Sequence, residues 1–166
     1  TRRDPVDDHA PEMNGASPER RALAVLRVAL GLMFVWVFFE NLGKGAYTPA
    51  GYKGVIDYYV KNGHSPAIWK ELISVAAANA RIVAPLQAMT ELGFGVLLVA
   101  GAGTRLVAAA AGAFLFTLWI SELGTSWIWE LAMPVIVAFV ISWARAGRTW
   151  GVDALLVRRN PNWRLG

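Results

Sequence analysis

The chain alternates between long apolar runs and short polar breaks, and the runs exceed what a small soluble core needs. Residues 22–42 are apolar except for Arg27, Glu40 and Asn41, and these 21 positions, at about 1.5 Å each in a helix, cross a hydrocarbon core about 30 Å thick. Ser17-Pro18-Glu19 opens this first run with the proline and acid that favour a helix start. After a break at Gly43-Lys44-Gly45, residues 46–66 interleave tyrosines with Pro49, Lys53, Asp57 and Lys61 and cannot span. Within 52–61, Val55, Ile56, Tyr59 and Val60 recur at helical spacing, which predicts a short amphipathic helix at the interface, ended by Gly63.

Residues 67–101 read as one helical stretch kinked at Pro85, with 82–100 as its membrane part. A third span is expected from 106 to about 123 and a fourth from 127 to about 144. The expected fold is therefore all-α, a polytopic membrane four-helix bundle with an outer interfacial helix. Residues 1–19 mix charges of both signs with prolines and lack an apolar period, which predicts a flexible cytoplasmic arm. Residues 20–146 form the expected membrane domain and 147–166 a basic cytoplasmic tail. In that tail Trp150, Val152, Leu155 and Leu156 beside Arg148 suit an interfacial helix. Arm and tail are expected to dock a partner or lipid.

Composition agrees with the pattern. Hydrophobic residues make up 55% and charged residues 17% of the 166, against about 25% charged in an average soluble domain, and the mean hydropathy is +0.40. A freely soluble enzyme, a disordered regulator and a nucleic-acid-binding domain are excluded, although the pI of about 9.8 taken alone suggests the last. The net charge of +4 belongs to the C-terminus, where Arg145, Arg148, Arg158, Arg159 and Arg164 stand against Asp153 alone. Short cytoplasmic loops collect Lys and Arg. The turn 101–105 has Arg105 and no acid, while Glu122 and Glu130 flank the turn 124–126, so the chain is expected N-in and C-in. Trp127 and Trp129 then belong to the outer aromatic belt, and Trp143 and Trp150 to the inner one.

With no cysteine, the chain holds no disulfide, iron–sulfur cluster or covalently attached haem. His9 and His64 form no pair at ligand spacing, so neither haem nor metal is expected. Residues 1–21 lack the apolar core of a secretory signal, and Thr1 fits removal of an initiator Met.

The candidate chemistry is a cluster of polar groups in the outer half. Glu40 lies near the outer end of the first span with Lys44 one turn beyond, and Glu91 lies roughly 14 Å inside the second with Gln87 one turn above it on the same face. A charge in hydrocarbon costs about 3 kcal/mol even on the lenient insertion scale, so Glu91 needs a partner or a proton. Lys44 and Arg81 are the nearest cations, and Asn41, Asn79, Gln87 and Thr90 can complete a hydrogen-bonded pocket. Two readings stand. One is a site for an amphipathic ligand such as a quinone headgroup, walled by Trp36, Phe38, Phe39, Phe94 and Trp119. The other is a structural clasp between helices. Arg27 and Arg105, near the cytoplasmic ends of their spans, are expected to snorkel to the headgroups. Gly93-x-Gly95 permits close helix packing.

Arg27-x-x-x-Gly31-x-x-Phe34, Gly43-Lys44, the stretch from Glu91-Leu-Gly-Phe-Gly through Gly101-Ala-Gly-Thr-Arg105, and Gly147-Arg-Thr-Trp-Gly-Val-Asp together resemble the DoxX family. That family includes the DoxD-type small subunit of thiosulfate:quinone oxidoreductase, and the likeness covers roughly residues 20–157. The resemblance implies a multi-pass protein of the bacterial cytoplasmic (inner) membrane that is a subunit of an oxidoreductase or respiratory-type assembly, holding quinone or lipid among its helices. Other branches imply a non-catalytic anchor, grouped with superoxide dismutase and a sulfurtransferase, or an assembly factor. Partners would be membrane lipids and other subunits, not nucleic acid. Lys44, Glu91 and Arg105 are the polar positions the resemblance carries over.

Overall fold

In the computed structural model, which describes residues 17–160, the chain is helical throughout, with no strand among the described residues. The helices are α1 (Pro18–Gly43), α2 (Pro49–Asn62), α3 (Ala67–Ala78), α4 (Ala80–Ala100), α5 (Thr104–Ser121), α6 (Ile128–Ala144) and α7 (Val152–Arg159), with a 3-10 turn at Ala146–Arg148. Most of the expected arm, and the last six residues of the expected tail, lie outside the described residues. Three helices, α1, α4 and α5, are long and apolar enough to cross a membrane, and α6 is equally apolar but shorter, at 17 residues.

α1 packs on α4 and α6, and α5 on α4 and α6, so the four apolar helices close on one another. Small residues set the approach. A Cβ at Gly31 would lie 2.8 Å from the Val99 backbone nitrogen, and one at Gly95 would lie 3.1 Å from the Gly31 carbonyl oxygen. On the other side Ala108, Ala111 and Gly112 of α5 are buried along with Ala138 of α6. Backbones that approach this closely gain dispersion contacts that lipid cannot supply. Of the Gly93-x-Gly95 pair only Gly95 serves this contact, because nothing lies within 4 Å of a Cβ placed at Gly93. Gly95→Val is therefore expected to cost about 1–3 kcal/mol by overpacking. Gly93→Ala should instead add about 0.5–1 kcal/mol through helix propensity. Thermal unfolding of the two variants in detergent should move in opposite directions.

The stretch 67–100 is not one helix. It divides at Asn79, whose side-chain amide donates to the Val75 carbonyl oxygen at 2.8 Å while its N–H bonds back to Ala76. A side chain that competes for the helix's own carbonyl favours termination, whereas Pro85 is accommodated inside α4. The break lets α3 fold back on α2, and Tyr52, Ile56, Ile73 and Ala77 join Ala80 and Ala84 of α4 in a second small core. This α2–α3 pair is tied to the α5–α6 turn. The Ser65 hydroxyl donates to the Ile120 carbonyl at 2.7 Å, the His64 N–H to Leu123 at 2.6 Å, and the Trp69 indole to the Ser121 hydroxyl at 2.9 Å.

At the opposite end Arg27 does not snorkel. It is 0% exposed, and its guanidinium donates to the carbonyl oxygens of Ala146 and Thr149 at 3.1 Å and of Trp150 at 3.0 Å. Asp153, also buried, accepts the N–H groups of Gly103 and Thr104 at 2.8 Å each. The segment after α6 is thus folded onto the protein's own helix ends. Only polar groups that outbid water hold a buried arginine, and three convergent backbone carbonyls do so here. Arg105, by contrast, is exposed.

Candidate functional site

Two cores leave a gap between them. The larger, built on Leu30, Phe34, Leu98, Leu115 and Ile141, fills the arginine-rich half of the helices, and the smaller sits under α2 and α3. Between them lies a cavity of about 720 Å³ lined by α1, α2, α3, α4, α5 and α6. Phe114 reaches its wall from the side of the larger core, with Phe34 and Phe94 packed behind it at ring centroids 5.5–6.4 Å apart.

Glu91 lies in that wall at 2% exposure, the only acid among the described residues so deeply buried in the α4–α5 half of the cavity. Its carboxylate accepts hydrogen bonds from the Gln87 amide at 2.8 Å, from the Asn41 amide at 3.3 Å and from the Tyr47 hydroxyl in a short contact. Gln87 arrives through the i, i+4 spacing on α4, as expected. Tyr47 arrives by a turn. Gly45, at φ +69°, takes the left-handed conformation that a residue with a Cβ avoids, and the Ala46 N–H returns to the Asn41 carbonyl at 2.9 Å. The chain doubles back over the end of α1, where Phe38 stacks on the Tyr47 ring with centroids 5.5 Å apart. Burial, and then the bond to Glu91, push the Tyr47 phenol above its ordinary pKa.

The expected cations are elsewhere. Lys44 pairs with Glu40 at 2.6 Å one helical turn apart, both largely exposed at the cavity mouth, and Arg81 is exposed at the α3–α4 junction in a separate hollow beside α2. Every partner of Glu91 is therefore neutral. Asn79 and Thr90 spend their hydrogen bonds on the carbonyls of Val75 and Leu86, although Thr90 still lines the cavity. Of the candidate residues, Glu40, Lys44, Gln87 and Glu91 line it, whereas Trp36 is 74% exposed and faces away, and Trp119 turns its indole to the Ile128 carbonyl at 3.1 Å. Phe38 and Phe94 act at one remove, behind Tyr47 and Phe114. The aromatic walls that sequence reasoning missed are Tyr52, Tyr59 and Trp69. Tyr59 also donates to Glu122 at 2.8 Å, and burial followed by that carboxylate's charge raises its pKa. The signal for Tyr52 and Tyr59 was their helical spacing on the amphipathic α2, whose apolar face needed cover, whereas Trp69 lies on α3 and reaches the cavity through the packing of α3 on α2.

Apolar helices of spanning length, with a buried carboxylate secured inside them, define a polytopic helical membrane protein. The DoxX family profile matches residues 22–122, and the chain belongs to the DoxX family. No curated protein matches the chain, and no solved structure does.

Proposed function

We propose that this protein is the membrane subunit of an oxidoreductase or respiratory-type assembly in the bacterial cytoplasmic membrane and that its cavity receives a quinone headgroup. The observation carrying this reading is the Glu91 carboxylate, buried at a cavity wall and bonded to neutral donors, while Lys44 at the same cavity pairs with Glu40. A purely structural clasp gains most from a paired cation, since an unpaired charge in hydrocarbon is costly. A carboxylate kept beside a phenol, at the edge of a space within the 300–1,000 Å³ typical of ligand sites, fits proton exchange with a bound carbonyl compound. The second amide hydrogens of Asn41 and Gln87, both at the cavity wall, would donate to a quinone oxygen, Glu91 would take or return the proton with Tyr47 as its hydrogen-bonded partner, and Tyr52, Tyr59 and Trp69 would pack on the ring. A bound quinone would itself supply two-electron, two-proton redox chemistry.

The same reading has α1, α4, α5 and α6 crossing the membrane with both termini cytoplasmic, since among the described residues every exposed arginine but Arg81 lies at the end opposite Glu40, Glu122 and Glu130. The chain has no cysteine, so single introduced cysteines report directly. In Ser126→Cys and Arg159→Cys, both exposed positions, an impermeant reagent added to intact cells is expected to label only position 126. Labelling of 159 alone would reverse the orientation. For the site, the protein extracted from its native membrane in mild detergent is expected to carry close to one quinone per chain, measured in the organic extract. Partner proteins without quinone would instead identify a non-catalytic anchor or assembly factor.

A further inference from the structure

At the end of the helices opposite the cavity, two hollows meet at one side chain. The first, about 150 Å³, lies between Arg20 of α1 and the segment Arg145–Thr149 that follows α6. The second, about 370 Å³, lies between Arg105 of α5 and Phe139, Ser142 and Trp143 of α6, and Arg145 borders it as well. Arg20, Arg105 and Arg145 are all exposed. The ion pairs among the described residues, Lys44–Glu40 and Lys53–Asp57, involve none of the three. We propose that these joined hollows are a binding site for an anionic phospholipid, its phosphate held between Arg105 and Arg145 with Arg20 alongside, and an acyl chain running along Phe139 and Trp143.

Three features separate this from a loose cloud of positive charge. Arg145 closes α6 in the left-handed conformation, at φ 52°, where glycine is the usual residue. A side chain retained at a backbone position that disfavours it points to a use for that side chain. The frame is also rigid. Buried Arg27 fixes the carbonyls of Ala146, Thr149 and Trp150, and the Ser142 hydroxyl donates to the Arg105 carbonyl at 2.8 Å, so the guanidinium groups start from anchored backbone. The neighbourhood is half apolar as well. Trp143 is 91% exposed and Phe139 is exposed beside it. A free inorganic anion makes no use of such a face, whereas a lipid uses the cations and the face together.

The test uses the full chain in a neutral detergent, where no charged bilayer surface exists, titrated with phosphatidylglycerol or phosphatidylcholine and read by native mass spectrometry. The wild type is expected to retain phosphatidylglycerol and not phosphatidylcholine. Arg105→Ala combined with Arg145→Gly should weaken phosphatidylglycerol binding about thirtyfold, or about fivefold per guanidinium. Removing two arginines from α7, Arg158→Ala with Arg159→Ala, should weaken it less than about twofold. Glycine suits the backbone at 145, so the first variant should melt no lower than the wild type, and its loss of lipid then reflects the missing side chains. Equal weakening in the two variants, equal retention of phosphatidylcholine, or displacement of the lipid by millimolar inorganic phosphate would each overturn the proposal.

Discussion

Arg27→Met is expected to destabilise the protein by about 3–5 kcal/mol, the cost of removing one partner from a buried charged network. Methionine fills most of the volume but donates nothing, so the carbonyls of Ala146, Thr149 and Trp150 lose their shared donor. Those carbonyls belong to a 3-10 turn and an irregular stretch with Trp150 at φ 53°, where no helix ladder can take over. Asp153, the acid whose charge acts on Arg27, would stay buried with its backbone donors but lose the charge of Arg27. Arg27→Lys should fall between the two, because a single ammonium cannot reproduce a planar fork that reaches three carbonyls. Thermal unfolding in detergent gives the magnitude. Limited proteolysis gives the place, since cleavage within 146–159 should precede cleavage in the apolar helices. If Arg27→Met melts with the wild type and its C-terminal segment stays protected, the latch contributes nothing.

This latch also marks where the sequence could be read and where it could not. Apolar run length located α1, α5 and α6 to within a few residues, because the cost of exposing backbone in lipid leaves helices as the economical solution. The α2 helix followed from its amphipathic spacing, and the Gln87–Glu91 pair from the i, i+4 rule. Counting depth from a helix end, however, treats Arg27 and Arg105 alike. One is buried and the other exposed because the acceptors of Arg27 lie 119–123 residues further along the chain, which no local pattern encodes. Tyr47 was hidden for a related reason, since its approach to Glu91 depends on the reversal at Gly45 and not on helical spacing. Trp36 and Trp69 show the same limit for aromatic residues. Both are tryptophans near polar groups, yet one faces away from the helices and the other lines the cavity, and only the packing of α3 on α2 distinguishes them.

Glu91→Gln should retain the fold and lose the ligand. The carboxylate accepts from Asn41, Tyr47 and Gln87, all neutral, so no cation is stranded when its charge is removed. A glutamine amide keeps one oxygen for Tyr47 and Asn41, and its NH2 group can be met by Gln87 turning its own amide oxygen inward. The network closes again at a cost of about 0.5–1.5 kcal/mol, far below that of breaking a buried ion pair. Glu91→Leu accepts nothing, and the most deeply held donor then loses about 1–3 kcal/mol. On the functional side the ranking changes, because both variants lack the proton-accepting group beside Tyr47. Both should lose bound quinone, and quinone-coupled turnover of the assembled complex should fall by about 10²-fold or more, the usual contribution of a placed general base. Tyr47→Phe keeps the carboxylate and the Phe38 stack but removes the hydroxyl, so it should retain quinone while slowing proton-coupled turnover. A Glu91→Gln protein that melts near the wild type and still carries wild-type quinone would remove the cavity from consideration as the site and leave the Glu91 network as a tie between α1, α4 and the Tyr47 turn.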